Sequence, residues 1–257
     1  MSSLFHLQIS IYGFLICLAI TIGILISLWL TKQFHILWDD FFLYFAYVFL
    51  FGLLGAKVLY LLINIRTIDW WRFISDARYF SALLSGGFVF YGGILGGMLG
   101  LFFCQKVHKI PYMKLMNIVA PTFPLMHAIG RIGCYIRGCC FGIPVNFPHF
   151  HVIYTDPTHP MHDVSLLPIQ LIESACNLIL SFVLFYLLLK KKKTTGIFSL
   201  YIICYAWIRF LIEFFRYDAE RGLLLGLSTS QYVSMILFFI SLFFFCKENH
   251  HKEKARL

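Results

Sequence analysis

Residues 41–64 read FFLYFAYVFLFGLLGAKVLYLLIN, an apolar run interrupted by one formal charge, Lys57. As an α-helix rising about 1.5 Å per residue it would be about 36 Å long, enough to cross the roughly 30 Å of hydrocarbon in a bilayer. Six further segments share this character, at about 7–30, 81–104, 112–130, 168–189, 196–217 and 228–246. The expectation is an all-α, polytopic integral membrane protein with seven transmembrane helices. Composition agrees: 60% of the 257 residues are hydrophobic and 13% charged, and the mean hydropathy is +0.80, outside the range of a soluble globular domain. No internal repeat or linker divides the chain, so residues 1–257 are expected to form a single transmembrane domain.

Lys and Arg set the orientation, because cytoplasmic loops carry an excess of them. With the N-terminus outside, the inside segments hold Lys32, Lys106, Lys109, Lys114, Lys190 to Lys193, Lys247, Lys252, Lys254 and Arg256. The outside segments then hold fewer: Arg66, Arg72, Arg78, Arg131, Arg137, Arg216 and Arg221. The N-terminus is therefore expected outside and the C-terminus in the cytoplasm, with an external loop over 131–167. That loop holds Pro144, Pro148, Pro157 and Pro160 beside four histidines, a composition of irregular backbone. The net charge of +9 reflects these short inside loops and contact with anionic lipid rather than nucleic acid. Residues 1–10 lack Lys and Arg and precede an apolar run too long for a cleaved signal, so the first helix is expected to remain.

Charge inside hydrocarbon is costly, so each instance marks a functional hypothesis. They are Lys57, Glu173, Arg209, Glu213 and Arg216. Glu213 lies four residues after Arg209 and three before Arg216, on one helical face, which suits a salt-bridge cluster as well as an anion site. Glu173 follows Pro168 closely, where the helix dipole favours a carboxylate. The third apolar segment opens with SGGFVFYGGILGGMLG at 85–100. Its glycines suit close helix packing, and Tyr91, flanked by Gly92 and Gly93, has room for a ligand.

The densest chemistry is HAIGRIGCYIRGCCFG at 127–142. A guanidinium beside glycines lets side chain and backbone approach an anion together, so a phosphate or carboxylate headgroup is expected here. Of eight cysteines, Cys17, Cys104, Cys176, Cys204 and Cys246 lie in apolar segments and read as small hydrophobes. Cys134, Cys139 and Cys140 are grouped, and three readings stay open: a structural disulfide from Cys134 to Cys139 or Cys140, a thiolate activated by Arg131 and Arg137, or metal binding with His127 and the loop histidines. The spacing matches no zinc pattern, and neither metal nor cofactor is expected.

GRIGCYIRGCCFG at 130–142 resembles the signature of the prolipoprotein diacylglyceryl transferase family. IYG at 11–13, GAKVLY at 55–60, GGFVFYGGILGG at 86–97, LLPIQLIES at 166–174, RFLIEFFR at 209–216 and LSTSQYVS at 227–234 agree in order and spacing. The resemblance spans nearly the whole chain. It implies transfer of the diacylglyceryl group of phosphatidylglycerol to the thiol of the lipobox cysteine in preprolipoproteins, in a multi-pass protein of the bacterial cytoplasmic membrane. Such a reaction needs a cationic clamp for the departing phosphate and a base for a thiol with ordinary pKa of about 8.5, together with a lateral opening to membrane lipids.

By this resemblance Arg131 and Arg209 hold the phosphate, and Tyr91 and Glu173 complete the catalytic set. Tyr12, Lys57, Gly133, Cys134, Arg137, Cys139, Gly142, Glu213 and Arg216 join Arg131 in binding substrate. The chain departs from the pattern at three positions: Tyr91 stands where many members have histidine, and Cys134 and Cys139 stand where asparagine and glutamate are commoner. A related transferase with another acceptor or lipid, and a non-enzymatic anion or lipid transporter, are the alternatives.

Overall fold

In a computed structural model, residues 2–109, 112–146, 149–192, 194–217, 223–224 and 226–254 are described, with only the backbone for 2–10, 85, 90, 223–224 and 249–254. Pro148, Lys193, Arg221 and Arg256, used above for the loop and the orientation, lie outside them. The chain divides into two compact units, residues 31–115 and residues 1–30 with 116–257.

The unit formed by 31–115 is built on α2 (Trp38–Ile63) and α5 (Phe90–His108), with the short helices α3 (Trp70–Ser75) and α4 (Ala77–Ser85) between them. The sequence sets these boundaries. Asp39 and Asp40 fall in the first turn of α2, where the helix dipole favours negative charge. Asp69 accepts from the backbone amides of Trp71 and Arg72 to cap α3, and Asp76 does the same for Arg78 and Tyr79 at α4. The expected helix over 81–104 is therefore two helices. The break falls at Gly86 and Gly87, and Gly87 has φ +68 with its α-carbon pressed on the Tyr60 ring, a conformation that glycine adopts without steric cost.

Between α2 and α5 the glycines permit backbone contact. A Cβ on Gly55 would stand 2.3 Å from the carbonyl oxygen of Gly92, and one on Gly96 would stand 2.1 Å from that of Phe51. Small residues are what bring helices this close where no hydrophobic force from water assists.

The other unit holds most of α1 (Ser2–Gln33), the second half of α6 (Tyr112–Val119), α7 (Thr122–Arg137), α8 (Ile169–Leu189), α9 (Ile197–Ile212) and α10 (Thr229–Lys254). The expected single helix over 112–130 breaks at Ala120 and Pro121, because proline has no N–H and its ring displaces the carbonyl one turn earlier. Neighbouring side chains satisfy the freed groups: Ser181 Oγ donates to Pro121 O at 2.8 Å, and Thr122 Oγ1 to Val119 O at 2.7 Å. The second piece continues to Arg137, so the loop expected from 131 starts at Gly138.

Helix α8 starts directly after Pro168, and its buried residues Gln170, Glu173, Ser174, Asn177, Leu180, Ser181, Leu184 and Leu188 fall on one helical face. That face meets α7, where Ser174 Oγ donates to Ala128 O at 2.8 Å. Helix α9 tightens into a 3-10 turn at Glu213–Phe215. Ser228 and Gln231 form a capping box that starts α10: the Ser228 amide donates to Gln231 Oε1 at 2.9 Å, and the Gln231 amide to Ser228 Oγ at 3.3 Å. The structure is mostly helical, with two small exceptions. β1 (Val152–Ile153) pairs antiparallel with β2 (Ser165–Leu166), and β3 (Leu223–Leu224) with β4 (Leu227–Ser228).

Among the described residues five segments are helical, long and apolar enough to cross a membrane: Ile11–Gln33, Trp38–Ile63, Ile169–Leu189, Ile197–Phe215 and Thr229–Glu248. The protein is thus consistent with a polytopic membrane protein. Replacing Gly96 with Leu is expected to lower stability by about 1–3 kcal/mol through overpacking, whereas Gly97→Ala, whose Cβ would meet Val48 Cγ1 at an ordinary 3.5 Å, should be tolerated. Thermal unfolding in detergent measures both, and equal midpoints would contradict the glycine contact.

Candidate functional site

Helix α7 presents His127, Arg131 and Cys134 at intervals of four and three residues, one above another. Glu173 comes from the buried face of α8. An Arg131 Nη2–Glu173 Oε1 contact of 2.8 Å joins the helices, with the arginine side chain 11% and the glutamate 1% exposed. Arg131 Nε donates to His127 Nε2 at 3.3 Å. This imidazole nitrogen therefore carries a lone pair, and in the neutral ring the proton sits on Nδ1. His127 Nε2 is 3.5 Å from Glu173 Oε1, and its ring lies 5.3 Å from that of Tyr205 on α9.

A second ion group closes the end of α9. Arg209 Nη1 lies 2.7 Å from Glu213 Oε2, and Arg216 Nη1 lies 4.0 Å from the same oxygen. Ser228 Oγ donates to Glu213 Oε1 at 2.8 Å, so the carboxylate is fixed from the start of α10. Arg209 Nη2 reaches Ser230 Oγ at 3.4 Å. The two groups interact electrostatically, with Arg209 sensing the charges of Arg216 and Glu173. Three guanidiniums and two carboxylates are gathered here in a buried setting, where fixed charge acts strongly on an anion. Beside Arg209, the neighbour Phe210 joins Ala206, Trp207, Ser234, Met235 and Phe238 in lining an apolar groove of about 200 Å³ between α9 and α10.

The chain beyond α7 folds back over this region. Gly138 ends the helix with φ +73, and Cys140 also takes the left-handed conformation, at φ 58. Gln170 Nε2 donates to Cys139 O at 2.8 Å and contacts Tyr154 Oη at 3.3 Å, and Tyr154 Oη in turn donates to Tyr135 O at 3.1 Å. His159 Nδ1 accepts from the Met161 amide at 3.1 Å, so its Nε2 carries the proton and donates to Gly138 O at 2.7 Å. Residues 141–145 then thread between two other strands of backbone. The Ile143 amide donates to Phe215 O at 2.9 Å, and the Leu167 amide to Ile143 O at 3.0 Å.

All eight cysteines are free thiols, so the expected disulfide among Cys134, Cys139 and Cys140 is not formed. Their three Sγ atoms nevertheless lie within 4.8 Å of one another. Hydrogen bonds from Cys134 and Cys139, then the nearby Arg216 and Arg131 charges, draw the Cys140 thiol below its ordinary range. The same hydrogen bonds, made with the opposite sense, raise Cys139. Burial raises the Tyr154 phenol.

The remaining residues marked from sequence fall in several places. The Arg137 guanidinium sits over the Tyr12 ring at 5.3 Å, and a Cβ on Gly133 would approach that ring's Cδ2 to 3.1 Å, so the glycine makes room for it. Gly142 bridges to Arg216, and a Cβ there would stand 2.5 Å from Leu167 O. Lys57 and Tyr91 belong to the unit formed by 31–115. Lys57 Nζ donates to the carbonyls of Leu83, Leu84 and Gly86, which cap the C-terminus of α4. Tyr91 is in the first turn of α5 and 43% exposed. Sequence reading overlooked His127 as a partner of the ion pair, although its i,i+4 spacing to Arg131 signals it. It also overlooked Ser228 and Tyr205, which approach from other helices and carry no local signal.

An apolar helical frame that holds a buried cluster of arginines and carboxylates is consistent with a polytopic membrane protein. The model of one family, described as prolipoprotein diacylglyceryl transferase, matches residues 1–247, and the chain belongs to that family. It is 32% identical over 251 residues to the phosphatidylglycerol–prolipoprotein diacylglyceryl transferase of Clostridium tetani, covering 97% of each chain. It is 32% identical over 237 residues to the enzyme numbered 2 in Clostridium perfringens, covering 92% and 90%. A relative from Prochlorococcus marinus with the same activity in its name is 30% identical over 250 residues, covering 88% of this chain and 84% of that one.

Removing Glu173 leaves a buried guanidinium without its counter-charge. Glu173→Ala is expected to lower stability by about 3–5 kcal/mol, and Ser228→Ala by about 1 kcal/mol through the lost cap. Thermal unfolding in detergent compares them, and a Glu173→Ala midpoint at or above that of Ser228→Ala would contradict this account of the ion pair.

Proposed function

We propose that this protein transfers the diacylglyceryl group of phosphatidylglycerol to the lipobox cysteine of preprolipoproteins, the first step of lipoprotein maturation. Family membership supports the reaction class, and one observation supports the site: the buried Arg131–Glu173 pair beside a second arginine–carboxylate group at the end of α9. In the reaction the acceptor sulfur forms a bond to the glycerol carbon that carries the phosphate ester. The carbon–oxygen bond breaks, its electron pair leaves on oxygen, and glycerol phosphate departs. Charge therefore gathers on the phosphate, and Arg131 and Arg209 hold it there.

The other residues have supporting tasks. Glu173 keeps Arg131 in place, and Glu213 with Ser228 does so for Arg209. Arg137 stacked on Tyr12 lies beside Gly133 and Cys134, and with Cys139, Gly142 and Arg216 completes the substrate-binding set. The groove beside Arg209 receives apolar parts of the lipid. The whole chain acts as one transferase domain with seven spans, its N-terminus outside and C-terminus in the cytoplasm, in the bacterial cytoplasmic membrane. A transferase with another acceptor shares the phosphate clamp, and the three cysteines at the site are the feature that favours it.

Purified protein given phosphatidylglycerol and a lipobox peptide tests the reading. The expected result is a gain of one diacylglyceryl unit in peptide mass with release of glycerol phosphate, and an unchanged peptide would overturn it. Arg131→Ala should slow transfer about 10²–10³-fold, the usual effect of losing one group that stabilises developing charge. An unaffected rate would remove Arg131 from the clamp.

A further inference from the structure

Beside the ion cluster stand three thiols, with a chemistry that the arginines and carboxylates do not supply. Cys134 lies in the last turn of α7, and Cys139 and Cys140 follow the helix end. The chain turns back sharply enough that the Cys139 amide donates to Cys134 O at 3.1 Å. Cys140 reaches the other two only by adopting φ 58, a conformation that a side chain with Cβ seldom takes and that carries a steric cost. The result is three Sγ atoms within 4.8 Å of one another. Sulfurs around a tetrahedral zinc ion, with Zn–S of about 2.3 Å, stand about 3.8 Å apart, so the three thiols need only small shifts to share one ion.

The surroundings suit such an ion. Gln170 Nε2, itself held against Tyr154 Oη, fixes the Cys139 carbonyl at 2.8 Å and so fixes the loop that carries two of the thiols, as outer partners of metal ligands generally do. Three thiolates with a divalent ion carry one net negative charge, and Arg131 and Arg216 act electrostatically on this cluster. Sulfur ligands select soft or borderline cations over magnesium or calcium. Three protein ligands also leave a fourth tetrahedral position open, the arrangement of zinc sites that take a substrate.

We propose that Cys134, Cys139 and Cys140 bind one thiophilic divalent cation, of which zinc is the model, and that its fourth position takes the sulfur of the acceptor cysteine. The second part rests on the transferase reading above. On binding, the acceptor thiol loses its proton to solvent, and the ion stabilises the thiolate. The metal-bound sulfur then forms its bond to the glycerol carbon, and the electron pair of the broken carbon–oxygen bond leaves with the phosphate held by Arg131. The thioether is neutral and a weak ligand, so it releases the ion unchanged. No oxidant or reductant takes part.

The full chain, purified under reducing conditions and freed of metal by chelation, would be titrated with Cd²⁺. One ion per chain with strong sulfur-to-metal charge-transfer absorption is expected, and its loss in Cys134→Ser and in Cys140→Ser. No stoichiometric binding to the wild-type chain would overturn the site, as would binding unchanged in both variants. With Co²⁺ in the site, a lipobox peptide should shift the ligand-field spectrum and its Cys→Ser counterpart should not, while equal effects of the two would overturn the fourth-ligand role. In the transfer assay, chelation should slow the wild type at least ~100-fold, with recovery on adding zinc, and an unchanged rate in metal-free protein would overturn the part the ion plays. Stoichiometric Cd²⁺ binding by a protein that never lipidates the peptide would overturn the transferase reading while supporting the ion site.

Discussion

The pair between Arg131 and Glu173 is the constraint around which the rest of the larger unit is arranged. A guanidinium and a carboxylate this deeply enclosed must answer each other, because either one left alone carries a desolvation penalty of several kcal/mol. The pair fixes α7 against α8, and Ser174 and Ser181 repeat the join with hydrogen bonds to Ala128 O and Pro121 O. Those serines can serve because Pro121 breaks the helix and frees a carbonyl. A polar seam thus runs along an otherwise apolar interface, as in membrane proteins whose helices gain no hydrophobic force from lipid.

The second ion group adds two arginines and one carboxylate to the site. Arg209 and Arg216 share Glu213, and Ser228, the capping residue of α10, supplies that carboxylate's other hydrogen bond. One residue thereby starts a helix and orients a charged group, so the secondary structure and the electrostatics of the cluster are coupled. Preorganised charge in a dry region needs no rearrangement when an anion develops, which is the largest single advantage such sites have over water.

Much of the fold was legible in the chain. The runs at 11–33, 38–63, 169–189, 197–215 and 229–248 are predominantly apolar, and apolar length identifies a helix that can span. The boundaries that failed did so for local reasons. Gly86 and Gly87 split one expected helix and Pro121 another, since hydropathy averages over the residues that interrupt a backbone ladder. Arginines in the site were found because charge stands out in an apolar sequence. His127 was read only as a candidate metal ligand, although it lies four residues before Arg131, because its place in the ion pair depends on Glu173 from another helix.

By itself the sequence determined that this chain enters a membrane, where its charges are concentrated, and which family's motifs it carries. Those properties are sums over composition and spacing, and they need no long-range contact. Only the tertiary structure decided which arginine meets which carboxylate, that Lys57 closes the end of α4, and that three thiols at irregular spacing converge within 4.8 Å. Each of these depends on a turn or a helix crossing that brings distant or differently oriented residues together. The left-handed turn at Gly138 and Cys140 is the clearest case, because it converts a spacing unlike any zinc motif into a cluster with the dimensions of one.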